Sequence, residues 1–100
     1  MIKHLVMWRL DDALSPQEKQ LAAQRMKRDI LALREQIPGI ITMDVQLSDQ
    51  DTSSHDVLLN ADFATPQALA AYQVNSLHQA VAQYVATITT HRACIDYTIE

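Results

Sequence analysis

The sequence is short of several things, and each shortage excludes a class of protein. Among its 100 residues there is one cysteine, Cys94, so no disulfide framework can form within the chain, and a reducing cytoplasm is the expected setting. There is one glycine, Gly39, from which neither a phosphate-cradling loop nor a dinucleotide fingerprint can be built. Kinases and nicotinamide enzymes are thereby excluded, and no serine elbow is present. Turn formers are too scarce, with one Gly and three Pro, for a many-stranded all-β domain. No run approaches the ~18–20 apolar residues of a membrane span, and the opening Met1–Leu10 lacks the small-residue cleavage site of a signal peptide. Basic charge is not in excess: 8 Lys and Arg against 12 Asp and Glu give −4, which argues against a phosphate-binding surface, so neither nucleic acid nor membrane is an expected partner. No His-x-x-x-His or Cys-x-x-Cys spacing occurs, so any metal site would have to be assembled from separate elements; no metal and no cofactor are expected.

What is present is a chain that is 48% hydrophobic, long enough for one compact domain over residues 1–100. Residues 2–10 alternate like a strand, with Ile2, Val6 and Trp8 on one face and Leu5 and Met7 on the other, so both faces need cover. Ser15-Pro16-Gln17-Glu18 supplies an N-cap, a proline at the first helical position and a glutamate that can reach back to the cap. The helix it starts has Ala22, Met26, Ile30, Leu33 and Ile37 in an apolar stripe and stops at Pro38-Gly39. A half-buried strand follows over 40–47, with Ile41, Met43, Val45 and Leu47 inward, then a polar loop over 48–54 and a strand over 55–63. Thr65-Pro66 caps a second helix that Asn75-Ser76 interrupts; Ser76 is the expected cap of its continuation, with Leu77, Val81, Tyr84, Val85 and Ile88 at core spacing. Residues 92–99 alternate again and close the chain.

The order β-α-β-β-α-β predicts an α+β, ferredoxin-like arrangement: a four-stranded antiparallel sheet with the helices on one face. The other face would carry Leu5, Met7, Leu58, Ile95 and Tyr97, an apolar patch that a second copy covers naturally, so a homodimer with two sheets face to face, a dimeric α/β barrel, is expected.

Several short patterns sit in a particular order along the chain: Met1-Ile2-Lys3-His4-Leu5-Val6, Gln36-Ile37-Pro38-Gly39-Ile40, Ala70-Ala71-Tyr72-Gln73-Val74 followed by Leu77-His78-Gln79-Ala80-Val81, and Asp96-Tyr97. Together they resemble the stress-responsive dimeric α/β barrel family across essentially the whole chain. The resemblance implies a link to stress response or small-molecule metabolism. One plant branch of that family consists of polyketide cyclases, and by similarity to it His78 falls at the catalytic histidine, Tyr72 at the catalytic tyrosine, Asp96 at an orienting carboxylate and His4 at a pocket-lining histidine. The chain departs from the pattern at Asn75-Ser76, where His-Pro is common, at His55, where an aromatic is common, and at Arg25-Met26-Lys27, where the cyclases are aromatic-rich. Trp8 stands where the cyclases have a smaller residue, which implies a pocket too small for a long-tailed polyketide.

Read from the residues alone, His78 borders the apolar stripe, and an inward imidazole needs a partner; Asp96, opposite Ile95 and Tyr97, is the expected one, raising the His78 pKa. Tyr72 lies six positions from His78, so on a straight helix the two would diverge by about 120°, and the break at Asn75-Ser76 is what would let them converge. The set serves either as a base, a proton donor and an orienting carboxylate, or as a satisfied buried network, or as a ligand site without turnover. The pocket between helices and sheet is expected to be lined by His4, Val6, Trp8, Met26 and Val81 and to take a small hydrophobic or aromatic ligand. The resemblance also implies a further variant, a cofactor-free oxygenase, since related dimeric α/β barrels that oxidise aromatic substrates use Trp, Asn and His in such pockets and Trp8, Asn60 and His78 are available here. His55 and His91 are expected to be surface or capping residues, and Cys94 either a nucleophile beside a histidine or a small buried hydrophobe.

Overall fold

The computed structural model describes every residue from Met1 to Glu100. The element order is β1 (Ile2–Leu10), α1 (Pro16–Ala32) running into a 3-10 turn (Leu33–Glu35), β2 (Ile40–Leu47), β3 (Val57–Phe63), α2 (Pro66–Val74), α3 (Ser76–Ile88) and β4 (Thr89–Thr98). The four strands form one antiparallel sheet in the order β2-β3-β1-β4, which is the ferredoxin-like topology with its second helix in two pieces.

The local signals act as their chemistry requires. Ser15 accepts from the Glu18 backbone while Glu18 returns a bond to the Ser15 N–H, closing a capping box around Pro16. Gly39 takes φ +90°, which only glycine adopts without strain, and a Cβ there would lie 2.6 Å from the Cβ of Ala68. The turn between α1 and β2 therefore needs this one glycine both for its backbone and for the approach of α2. Thr65 caps α2, and Asn75, not Ser76, caps α3: its side chain accepts from Leu77 N–H while its own backbone is extended.

The core lies between the sheet and the helices. Val6, Trp8 and Leu10 of β1, Met43 and Val45 of β2, and Val57, Leu59, Ala61 and Phe63 of β3 meet Met26, Ile30 and Leu33 below α1, and Leu69, Tyr72, Val85 and Ile88 from α2 and α3. Three expectations fail here. Ile41 is exposed, because the β2–β3 register shifts between Ile40 and Thr42 and turns that residue out of the alternation. Leu77, in the first turn of α3, is exposed instead of sharing the core stripe. Strand β4 begins at Thr89 and not at Arg92, joined directly to α3, with a register irregularity opposite Met7–Arg9 and His91 at φ 51°.

The cross-strand register sorts the two faces of the sheet. His4 lies opposite Asp96, and Val6 opposite Cys94, on the helix side. Leu5 opposite Ile95, Lys3 opposite Tyr97, and Met7 opposite Leu58 lie on the open side, where Ile95 is 59% and Tyr97 44% exposed. Beside this patch Lys3 binds both Asn60 and Asp62 at 2.9 Å, and Thr42 donates to Asp62 at 2.6 Å; these bonds hold the Asp62 carboxyl below its ordinary range. No helix is long and apolar enough to cross a membrane.

Candidate functional site

A cavity of about 360 Å³ opens between the sheet and the helices at the β4 side. Val6, Trp8 and Leu59 form its sheet wall, Ile30 reaches it from α1, and Val81, Ala82, Val85 and Ala86 line it from α3. His4, Tyr72 and His78 supply polar groups, and Thr89 to Arg92 form the rim on β4. An apolar chamber with a few convergent polar side chains is the usual form of a small-molecule site. Met26 is not in its wall. It is fully buried under α1, because the α1 stripe packs onto β2 and against α3, and only Ile30 reaches the chamber.

The break in the second helix builds the polar end of the cavity. Because α2 stops at Val74 and Asn75 turns extended, the Gln73 carbonyl is left without a helical partner and faces His78 Nδ1 at 3.3 Å. A carbonyl only accepts, so Nδ1 carries the proton and Nε2 is the basic nitrogen. The same break brings the rings of Tyr72 and His78 to a centroid separation of 4.1 Å at 37°. Tyr72 is buried against Phe63 at 4.9 Å, and His4 packs edge-on to both rings, at 5.9 Å from Phe63 and 6.3 Å from Tyr72.

The electrostatics follow from that burial. Desolvation lowers the His78 pKa from its ordinary value, with His4 and Arg92 adding repulsion and the Gln73 carbonyl opposing them. Burial pushes Tyr72 up to about 12, with the nearby Arg92 charge acting against it. Near neutral pH the pair is a neutral imidazole beside a protonated phenol.

Asp96 does not hold His78. Its Oδ1 accepts from His4 Nδ1 at 2.5 Å, directly across the β1–β4 ladder. The expected pairing fails because no helix covers the inner face of β4: Asp96 is 37% exposed, so it has no need of a buried partner, and its register neighbour is His4. The expected rise in the His78 pKa is likewise a fall. Cys94, next to Asp96 on the same face, is exposed and not a buried hydrophobe. Its Sγ lies 3.8 Å from both His4 Nδ1 and Asp96 Oδ1, and partial burial together with the Asp96 carboxylate pushes the thiol up.

Asn60 binds Lys3 on the open face, across the sheet from Trp8 and His78, so the oxygenase constellation does not assemble. His91 lies on the cavity rim, carried there by the irregular start of β4, while His55 bonds its neighbour Ser54 at the loop end. Sequence spacing could not reveal the Gln73 carbonyl or the His4–Asp96–Cys94 grouping, since the first depends on where a helix ends and the second on register between strands 90 residues apart.

The whole molecule resembles several solved structures. A dimeric protein of unknown function with a ferredoxin-like fold from Bacteroides fragilis shares 26% identity over 98% of this chain and 95% of its own, with a TM-score of 0.92. A Dabb family protein from Mesorhizobium loti shares 19% over 99% and 96%, with a TM-score of 0.79. Hydroxynitrile lyase from Passiflora edulis shares 12% over 99% and 93%, with a TM-score of 0.81. No curated protein sequence matches. The family model for the stress responsive A/B barrel domain matches residues 2–99, nearly the whole chain, so the chain belongs to that family.

Proposed function

We propose that the chain forms a homodimer in which each protomer binds a small, largely apolar or aromatic carbonyl compound in the helix–sheet cavity, and that His78 and Tyr72 act on it by acid–base chemistry without a cofactor. The observation that carries this reading is the contact of a neutral imidazole with a protonated phenol, 4.1 Å between ring centres, at the end of an apolar chamber. In the proposed step His78 Nε2 takes a proton from the carbon next to the substrate carbonyl. The electron pair moves onto the carbonyl oxygen, and the Tyr72 hydroxyl donates a hydrogen bond to the enolate that forms.

The chamber is near the lower end of the roughly 300–1,000 Å³ range of ligand pockets, and Trp8 occupies one wall, which favours a compact ring compound over a long-tailed polyketide. The hydroxynitrile lyase of the same fold supports an enzymatic reading of this architecture. Dimerisation is supported by the Bacteroides fragilis relative and by the exposed apolar face of Leu5, Met7, Leu58, Ile95 and Tyr97.

Calorimetric titration with enolisable aromatic ketones, such as a phenyl-1,3-diketone, tests the site. Saturable binding that Ala82→Phe abolishes by filling the chamber is the expected result. Binding unchanged in Ala82→Phe, or none by any compact ketone, would overturn the assignment.

A further inference from the structure

On the helix side of the sheet, away from the open face and beside the Tyr72–His78 pair, three donors of different kinds meet. His4 Nδ1, Cys94 Sγ and Asp96 Oδ1 all lie within 4.8 Å of one another. Strand geometry puts them there. Cys94 and Asp96 are two apart on β4 and so point to the same face, and His4 is the residue directly opposite Asp96 on β1. His4 is buried at 3% exposure, whereas Cys94 and Asp96 are open to solvent.

Two ordinary readings explain less than all of this. A nucleophilic triad requires the thiol at one imidazole nitrogen and the carboxylate at the other, but here both meet Nδ1. A simple His–Asp pair accounts for the 2.5 Å bond and leaves the thiol, 3.8 Å from each partner, without a role. Convergence of three donor atoms on one point is instead what a small cation requires.

We propose that His4, Cys94 and Asp96 form a three-ligand site for a divalent transition ion, zinc being the one that fits, with the fourth position open to water on the exposed side of β4. Zinc takes sulfur at about 2.3 Å and nitrogen or oxygen at about 2.0–2.2 Å, so the edges of its tetrahedron are about 3.3–3.6 Å. The two edges to sulfur are already close to that, and the His4–Asp96 edge reaches it when the hydrogen bond gives way and the exposed carboxylate turns aside. The mixed N, S and O set suits zinc and disfavours calcium and magnesium, which take oxygen. On binding, the Cys94 thiol releases its proton to solvent and the His4 proton passes from Nδ1 to Nε2, so that His4 binds as a neutral imidazole while the thiolate and carboxylate balance the ion's two charges. The Arg92 guanidinium, two residues before Cys94, is the one cation nearby; it favours the thiolate and opposes the ion.

Cobalt(II) titration of the freshly reduced full-length protein is the test, because a cobalt–thiolate bond gives a charge-transfer absorption that histidine or carboxylate ligation alone does not. The expected result is a thiolate band saturating at one ion per chain, displaced by equimolar zinc, lost in Cys94→Ser and lost or strongly weakened in Asp96→Asn. These two side chains are exposed, so both variants should retain the fold, and far-UV circular dichroism checks that they do. A wild-type protein with no thiolate band, including one that binds cobalt only through surface histidines, would overturn the proposal. A band that saturates equally well in Asp96→Asn would also overturn it, since the carboxylate would then be no ligand and the three-donor site would not exist.

Discussion

His4 and Asp96, 92 residues apart, are joined across the β1–β4 ladder by a 2.5 Å bond between Nδ1 and a carboxylate oxygen. This bond fixes the tautomer and orientation of a histidine that is otherwise enclosed by Phe63 and Tyr72, and so ties the edge strand to a cavity-lining side chain. His78 depends instead on the Gln73 carbonyl, so the two histidines of the cavity are oriented by different elements.

Removing the carboxylate tests the first of these relationships. Asp96→Ala should cost about 1 kcal/mol of unfolding free energy, the lower part of the range for stranding a buried donor, because solvent can reach the vacated position. Urea denaturation measures it; a loss above about 3 kcal/mol would mean that Asp96 is buried and paired more firmly than its exposure indicates.

The His78 shift predicts a pH dependence with a definite sign. Its folded-state pKa is below the unfolded value because burial disfavours the imidazolium, with His4 and Arg92 repelling it and the Gln73 carbonyl acting the other way. The stability associated with neutral His78 is therefore fully present above the unfolded value of about 6.5 and is lost as pH falls through the folded pKa. Imidazole NMR should show His78 titrating below that of an unstructured histidine; a value above it would contradict the account, as would strong dependence on Asp96→Asn.

The turn at Gly39 is a purely structural test. Gly39→Ala combines a positive φ with a Cβ 2.6 Å from that of Ala68, and α2 must move to relieve it. Each effect alone costs about 1 kcal/mol or more, so a loss of about 2 kcal/mol or greater is expected in thermal or chemical unfolding.

The open face predicts association. Ile95→Glu would place a charge at the centre of an apolar contact and should shift sedimentation from dimer to monomer. A wild-type protein that is a monomer at micromolar concentration would contradict the homodimer; a mutant that stays dimeric would relocate its interface.

Much of the fold was legible because its signals are local. Ser15-Pro16-Glu18 and Thr65-Pro66 carry their own hydrogen bonds and start the helices where the sequence pattern puts them, whereas α1 gives way to a 3-10 turn at Leu33, ahead of the Pro38-Gly39 stop. The alternation in β1 likewise separates Val6 and Trp8 from Leu5 and Met7 correctly. What was not legible depends on contacts between distant segments. Periodicity gives Asp96 a face but not its cross-strand neighbour, so the sequence alone points it to His78 and the register gives it His4. An apolar stripe does not tell which of its members faces a void, so the pattern alone does not separate Met26 from Ile30. The convergence of Tyr72 with His78 was readable from the turn residues Asn75-Ser76, whereas the Gln73 carbonyl that orients His78 has no side-chain signature.

Proton exchange on a bound carbonyl compound tests the central claim most directly, since it requires only that His78 and Tyr72 make and stabilise an enolate, whatever reaction follows. With a compact aryl monoketone bearing one slowly exchanging α-hydrogen, in deuterated buffer, NMR should record protein-catalysed loss of that hydrogen. The rate should fall by roughly 10²–10⁴-fold in His78→Ala and substantially in Tyr72→Phe, with the Tyr72→Phe melting temperature unchanged. Exchange no faster than in buffer despite saturable binding would make the cavity a binding site without acid–base function, and exchange unaffected by either substitution would contradict the account of these two residues.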